Sequence, residues 1–283
     1  MTTRRRVIAL ATTAAAVAVA TGCGSSSSGD ASGSASKASG QMILATTTST
    51  RDTGLLDTLV PAFERASACS VKTVAVGSGQ ALDLGARGQA DVLLVHSPDA
   101  EQTFMRAGRG LSRLAVMHND FVLVGPKADA AKTAGAGGIV PALQAIARTK
   151  SAFASRADGS GTNAKELKLW QQAALKPAGS WYIKTGQGMA PTLVIASQKQ
   201  AYTLSDRGTF LATKSLDSKI LVQGDAGLQN PYHVIVVKHA GTNVGCARAF
   251  SRWITSAPTQ QLIGRFGLSR YGQALFHPDA GSQ

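Results

Sequence analysis

The segment MILATTTST, residues 42–50, decides the reading of the fold. Met42 to Ala45 is a short apolar run of strand character, stopped by the hydroxyl-rich string Thr46-Thr47-Thr48-Ser49-Thr50. Beyond it Leu55, Leu56, Leu59, Val60 and Phe63 recur at helical spacing, so the pattern predicts an amphipathic helix over 53–66. A second apolar run, Val71 to Val76, leads through Gly77-Ser78-Gly79 into a helix over 79–87, and a third strand follows at Val92 to Val95. Strand, helix and strand in repeated succession mark an α/β chain. Similar alternation runs outward through 121–124, 139–148, 152–155, 163–174, 189–197 and 233–237, and ends in a helix-rich stretch over 242–266. No period of roughly 20–50 residues recurs, which excludes a solenoid.

Composition sets the outer limits. The 283 residues are 44% hydrophobic and 16% charged, an ordinary globular balance that excludes a wholly disordered or fibrous chain. The length suits one large domain or two modest ones. Lys and Arg exceed Asp and Glu by 29 to 16, a net +13 that fits nucleic acid, an anionic membrane or a small anion, as well as plain solubility. Aromatics are only 5% and the basic residues are scattered, so the stacking platforms and basic stripe of a nucleic-acid binder are missing.

The N-terminus reads as an address. Arg4-Arg5-Arg6, the uncharged run Val7 to Ala20, and Thr21-Gly22-Cys23 form the three parts of an export signal over 1–22. The run spans about 21 Å as a helix, short of a ~30 Å hydrocarbon core, so a permanent span is the weaker reading. Ala20-Thr21-Gly22-Cys23 resembles a bacterial lipobox, with Ala20 in place of the usual leucine; Cys23 is then lipidated. Ordinary cleavage and a retained anchor stand as alternatives, and both general and twin-arginine export fit Arg4-Arg5-Arg6-Val7-Ile8. Residues 23–40 follow as a Gly/Ser tether, placing the folded body at the outer face of the cytoplasmic membrane. Cys69 and Cys246 remain, in a compartment that permits disulfides; a bridge and two separate buried thiols fit equally.

Three strand ends pass into small or hydroxyl residues just before a helix: Thr46 to Thr50, Gly77-Ser78-Gly79-Gln80, and Ser155 to Thr162. The free N–H groups and dipole of a helix start suit an oxyanion, glycine admits close approach, and Ser or Thr adds a rotatable donor. The same residues are common helix caps, so one loop alone says little. Three loops at the C-terminal ends of strands in an open α/β sheet point to a ligand crevice. Arg156 stands in the third, where a guanidinium offers paired planar donors; an ion pair with Asp158 or Glu166 is its structural alternative.

These residues carry a resemblance. Leu44 to Thr50, Gly54 to Asp57, Val74 to Leu82 and Ala90 to Pro98 closely resemble the tungstate-binding proteins of ABC importers, the Tup type. Ser155-Arg156 with Gly161-Thr162, Ala201 to Gly208, Asn230 to Val237, and Phe266-Gly267 agree with it, so the likeness covers about 42–278. It implies a type II periplasmic-binding-protein fold: two α/β lobes joined by two crossing strands, with the ligand in the cleft. The crossings fall at 118–124 and 232–237, lobe 1 at 41–120 plus 230–283, and lobe 2 at 121–229. Carried over residue by residue, Thr47, Ser78, Arg156 and Thr162 hold the oxyanion, with Thr48, Ser49 and Gly161 as neighbours. The implied protein is a monomer without cofactor that carries tungstate or molybdate to an ABC permease and breaks no bond.

Other classes share some of these residues. Arg156-Ala157-Asp158-Gly159-Ser160-Gly161-Thr162 is also reminiscent of phosphate-binding proteins, in which an acceptor such as Asp158 suits a protonated anion. A secreted hydrolase is the enzyme alternative, but Val76 and Asp158 replace the first glycine of Gly-x-Ser-x-Gly at Ser78 and Ser160. A solute sensor that presents its ligand to a receptor would share the site. His96, His118 and His233 lack metal-ligand spacing and read as structural hydrogen-bonders or surface groups. Leu167, Trp170 and Ala174, and Phe250, Trp253 and Ile254, read as core; Tyr202 and Asp206 read as cleft buttresses or as hinge and cap residues.

Overall fold

The computed structural model describes residues 38–239 and 241–281. The export signal 1–22, Cys23 and nearly all of the 23–40 tether lie outside the described residues.

In chain order the elements begin with β1 (Ser39–Thr47), α1 (Thr48–Asp52), α2 (Leu55–Ala66), β2 (Ala68–Val76), α3 (Ser78–Ala86), β3 (Val92–Val95), α4 (Pro98–Arg106) and β4 (Gly110–Gly125). Then follow α5 (Ile139–Thr149), β5 (Phe153–Ser155), α6 (Gly161–Gln172), β6 (Tyr182–Lys184), α7 (Met189–Gln198), β7 (Thr203–Asp206), α8 (Arg207–Ala212) and β8 (Lys219–Val222). The last are β9 (Gln229–Val237), α9 (Val244–Ile254), α10 (Ala257–Arg265), α11 (Leu268–Tyr271) and β10 (His277–Pro278). The first strand thus starts at Ser39, inside the stretch read as tether.

The alternation of side chains along a strand explains the layers. β1 pairs in parallel with β2 and β3, and β3 pairs antiparallel with β9. Leu44, Val92, Leu94, Val234 and Val236 enter one core with Leu59, Phe63 and Phe250, under α2 and α9. Their neighbours Ala45, Leu93, Val95, Ile235 and Val237 face the opposite side, with Leu82 and Phe104 of α3 and α4. Both faces of this sheet are covered, which is why β3 reads as an unbroken apolar run.

β4 serves two sheets. Gly110 to Asp120 pairs with β9, and from Phe121 onward the same strand pairs with β7 and β8. Beyond the passage Phe121 and Leu123 join a second core around Phe153, Trp170 and Tyr202, while Val122 and Val124 turn to Met189 and Leu193. The chain therefore forms two α/β lobes. At the passage Asp120 Oδ1 accepts from Arg207 Nε at 2.8 Å. The return passage differs from the reading at 232–237. Tyr232 to Val237 pairs throughout with β3 or β4, and the chain leaves the second core earlier, at the short 3-10 turn Ala226–Leu228. Among the described residues no helix is long and apolar enough to cross a membrane.

Candidate functional site

Register fixes the first two loops. Thr47 lies opposite Val76 in the β1–β2 pair, so the Thr47–Thr50 and Gly77–Ser78 turns leave the sheet at one edge. Thr47 caps α1: its hydroxyl accepts from Thr50 N–H at 3.2 Å and lies 2.6 Å from Thr50 Oγ1 and 3.2 Å from Ser49 Oγ. Ser78 opens α3 and is wholly buried, and its Oγ has no hydrogen-bond partner among the described residues. A buried hydroxyl without a partner costs free energy, so it marks a place built for a further group.

The third loop follows β5. Ser160 caps α6 by accepting from Asn163 N–H at 3.2 Å, and Gly161 and Thr162 form the first turn. Arg156 is 3% exposed. Its Nη2 lies 3.4 Å from Thr48 Oγ1, its Nη1 lies 3.4 Å from Thr162 Oγ1, and Nε and Nη2 donate to Asp158 Oδ2 at 3.1 and 2.6 Å. The other Asp158 oxygen accepts from Ser160 N–H at 3.1 Å. The ion-pair alternative for Arg156 and its contacts with both hydroxyl loops therefore hold together. Glu166 sits elsewhere, buried against β5, with its carboxyl pushed up by burial; it accepts from Ser155 and Tyr182 hydroxyls at 2.6 Å and Trp170 Nε1 at 3.1 Å.

The loops meet closely. A Cβ added to Gly161 would lie 2.9 Å from Ser78 Oγ and 2.9 Å from His96 Cε1, so only glycine lets these groups come together. Likewise a Cβ on Gly77 would stand 3.4 Å from Ser160 Cα, and one on Gly79 would stand 3.1 Å from the Gly159 carbonyl. Thr47, Thr48, Ser49, Ser78, Arg156, Gly161 and Thr162 thus form one ring, with Arg156 linking Thr48 to Thr162 and Gly161 lying against Ser78. None of the seven lies apart.

His96 completes the wall, a role the sequence reading did not give it. Its Nδ1 lies 2.8 Å from Asn230 Oδ1, the structural bond expected, but its Nε2 lies 3.5 Å from Ser49 Oγ. The available signal was its position at the C-terminal end of β3, the strand beside β1. The ring stacks on Tyr232 at 4.6 Å, and burial lowers its pKa to about 4. At the end of β7 Asp206 caps α8, accepting from Thr209 N–H at 2.8 Å; burial pushes its carboxyl up to about 6, against that bond and the field of Arg156. Tyr202 donates to Asp129 at 2.9 Å, away from the ring. Among the described residues no group of three or more His, Cys, Asp or Glu is placed to hold a metal ion.

Two lobes on a shared long strand, with hydroxyls, amide ends and a guanidinium facing each other between them, define a solute-binding protein of the periplasmic type. Residues 24–258 match the model of the PBP superfamily domain. The chain is 48% identical over 250 residues to the tungstate-binding protein TupA of Peptoclostridium acidaminophilum, covering 86% of this chain and 87% of that one. Among solved structures, the tungstate ABC transporter protein of Geobacter sulfurreducens shares 42% identity at a TM-score of 0.73, covering 80% of this chain and 98% of the other. TupA of Desulfovibrio alaskensis G20 shares 41% at a TM-score of 0.72, covering 86% and 100%. The chain belongs to the PBP superfamily and, within it, to the family of tungstate-binding proteins of ABC transporters; it is a binding protein and not an enzyme.

Proposed function

We propose that this protein captures the tungstate dianion in the ring formed by Thr47, Thr48, Ser49, Ser78, Arg156, Gly161 and Thr162, and delivers it to the membrane permease of an ABC importer. The observation that carries this reading is the orphaned, fully buried Ser78 hydroxyl facing Gly161, in a wall that also holds Arg156 and the Thr47 loop. Donors come from both lobes, taken as 41–120 with 230–283 and as 121–229, so the anion gains its full set of contacts only when the cleft is shut. Binding then shifts a hinge equilibrium toward the closed form that a permease distinguishes. Molybdate, with the same shape and charge, is the expected competitor.

Phosphate is the poorer fit. A protonated phosphate needs an acceptor, and the Asp158 oxygens are engaged by Arg156 and the Ser160 N–H. We further assign Cys23 as the lipid attachment site, so that Cys23→Ala moves the protein out of the membrane fraction.

Calorimetric titration of the detergent-solubilised chain tests the reading. One tungstate binds per chain, molybdate competes, and excess sulfate or phosphate leaves the binding isotherm in place. Absence of tungstate binding, or displacement of tungstate by equimolar phosphate, ends it.

A further inference from the structure

The hydroxyls of the first loop have to point their protons at an anion, yet the neutral His96 ring draws them away. Asn230 Nδ2 donates to Asn119 Oδ1 at 2.6 Å, which turns Asn230 Oδ1 toward His96 Nδ1 at 2.8 Å. The ring proton therefore sits on Nδ1, and Nε2 of the neutral ring is a lone pair 3.5 Å from Ser49 Oγ. A hydroxyl has one proton. Ser49 gives it to Nε2, and Ser49 then presents lone pairs to Thr47 and to the ring interior. Protonating His96 reverses the bond: Nε2–H donates to Ser49, and the Ser49 proton is released toward the cleft.

Resting on the tungstate reading, we propose that His96 is a positioning residue that takes up one proton from solvent when the dianion enters, turning the Ser49 hydroxyl into a donor to the anion. The charges around it support this. Arg156 faces His96 from the third loop and disfavours the imidazolium, while Glu101 of α4 favours it. Glu101 is itself shared with Arg113 and His233, at 2.8 and 2.9 Å. Lys165, Lys168 and Asp99 line, with His96, a cavity of about 410 Å³ that gives the ring a route to solvent protons. Arg156 is already matched by Asp158 at 2.6 Å, so a dianion would bring two uncompensated negative charges into a buried space. Burial keeps His96 neutral without the anion, and those two charges favour the imidazolium with it. Asp206, near Arg156 and also buried, is the competing proton acceptor.

Calorimetry of the full chain with sodium tungstate at pH 7, in buffers of different ionisation enthalpy, is expected to give uptake of about one proton per anion, with affinity rising up to about tenfold per pH unit as pH falls from 8 to 6.5. His96→Gln abolishes the uptake and flattens the pH profile, and Asp206→Asn leaves both. Uptake that survives His96→Gln, or that vanishes in Asp206→Asn, overturns the assignment. Should His96→Gln fail to fold, the ring nitrogen resonances of His96 in the unmodified protein decide: a doubly protonated ring at tungstate saturation supports the proposal, and a neutral one overturns it. Tungstate binding without proton uptake removes this proposal alone, whereas no tungstate binding at all removes the proposed function and this with it.

Discussion

Gly161 and Ser78 face each other so closely that a Cβ at position 161 would lie 2.9 Å from Ser78 Oγ. Gly161 starts a 12-residue helix and has ordinary helical backbone, so Ala brings no backbone strain there, but its Cβ would also stand 2.9 Å from His96 Cε1 and the packed neighbours must shift. Gly161→Ala is therefore expected to cost about 1–3 kcal/mol of stability through this overpacking, with the fold kept, and to weaken tungstate binding more than tenfold by wedging the cleft. Parallel thermal and calorimetric titrations check this. Unchanged affinity would mean that the anion does not sit against Ser78.

Arg156 is buried and touches Thr48, Thr162 and Asp158. Removing its guanidinium deletes charge-assisted hydrogen bonds of about 1.5–3 kcal/mol each, so Arg156→Ala is expected to cost more than tenfold in affinity. Arg156→Lys restores the charge but not the fork, and recovery is expected to be partial. Affinity equal to the parent in Arg156→Ala would remove this residue from the site.

The loops of the ring are legible because each is a local signal: a β-run, a hydroxyl or glycine string, then helical spacing. The unbroken apolar strand Val92 to Val95 and the helix starting at Ile139 are legible for the same reason. Of β4 only the apolar end, 121–124, is legible, and the crossing expected at 118–124 is where the strand changes partners; Gly110 to Val116 is not, because buried and exposed side chains do not alternate regularly along it. The return passage near Ala226 is short and without periodicity. His96 was missed as a site residue because a lone histidine after a strand carries no spacing of its own; only the pairing of β1 with β3 brings it to Ser49.

The cysteine pair depends on distance that one sequence does not hold. The structure joins Cys69 at the start of β2 to Cys246 in α9, with Cα atoms 5.8 Å apart and a sequence separation of 177. Closing so long a loop restricts the unfolded chain, worth about 2–4 kcal/mol. Cys69→Ser with Cys246→Ser is expected to lower the melting temperature by roughly 5–15 °C while leaving anion affinity within twofold, since neither residue touches the ring. Scanning calorimetry of oxidised, reduced and doubly substituted protein checks it. Equal melting temperatures would show that the bridge contributes nothing to stability.

The buried pair beside Arg156 predicts a hidden compensation in acid stability. His96 is held down to about 4 by burial, against 6.5 for a free ring, so below pH 6.5 the unfolded chain binds a proton that the folded chain refuses. That group weakens the fold as pH falls from 6.5 to about 4. Asp206 is pushed up to about 6 by burial, against 3.8, so above pH 3.8 the folded chain retains a proton that the unfolded chain has released. That group weakens the fold as pH rises from 3.8 to about 6. Each effect amounts to about 3 kcal/mol, and over the shared window the two slopes nearly cancel. Asp206→Asn removes only the second, and its side-chain oxygen still accepts from Thr209 N–H. Urea unfolding from pH 4 to 8 is expected to show the variant more stable than the parent by up to about 3 kcal/mol above pH 6, with the gain shrinking toward zero near pH 4. The variant thereby acquires the acid slope that Asp206 masks in the parent, and a gain of constant size across that range would contradict the compensation.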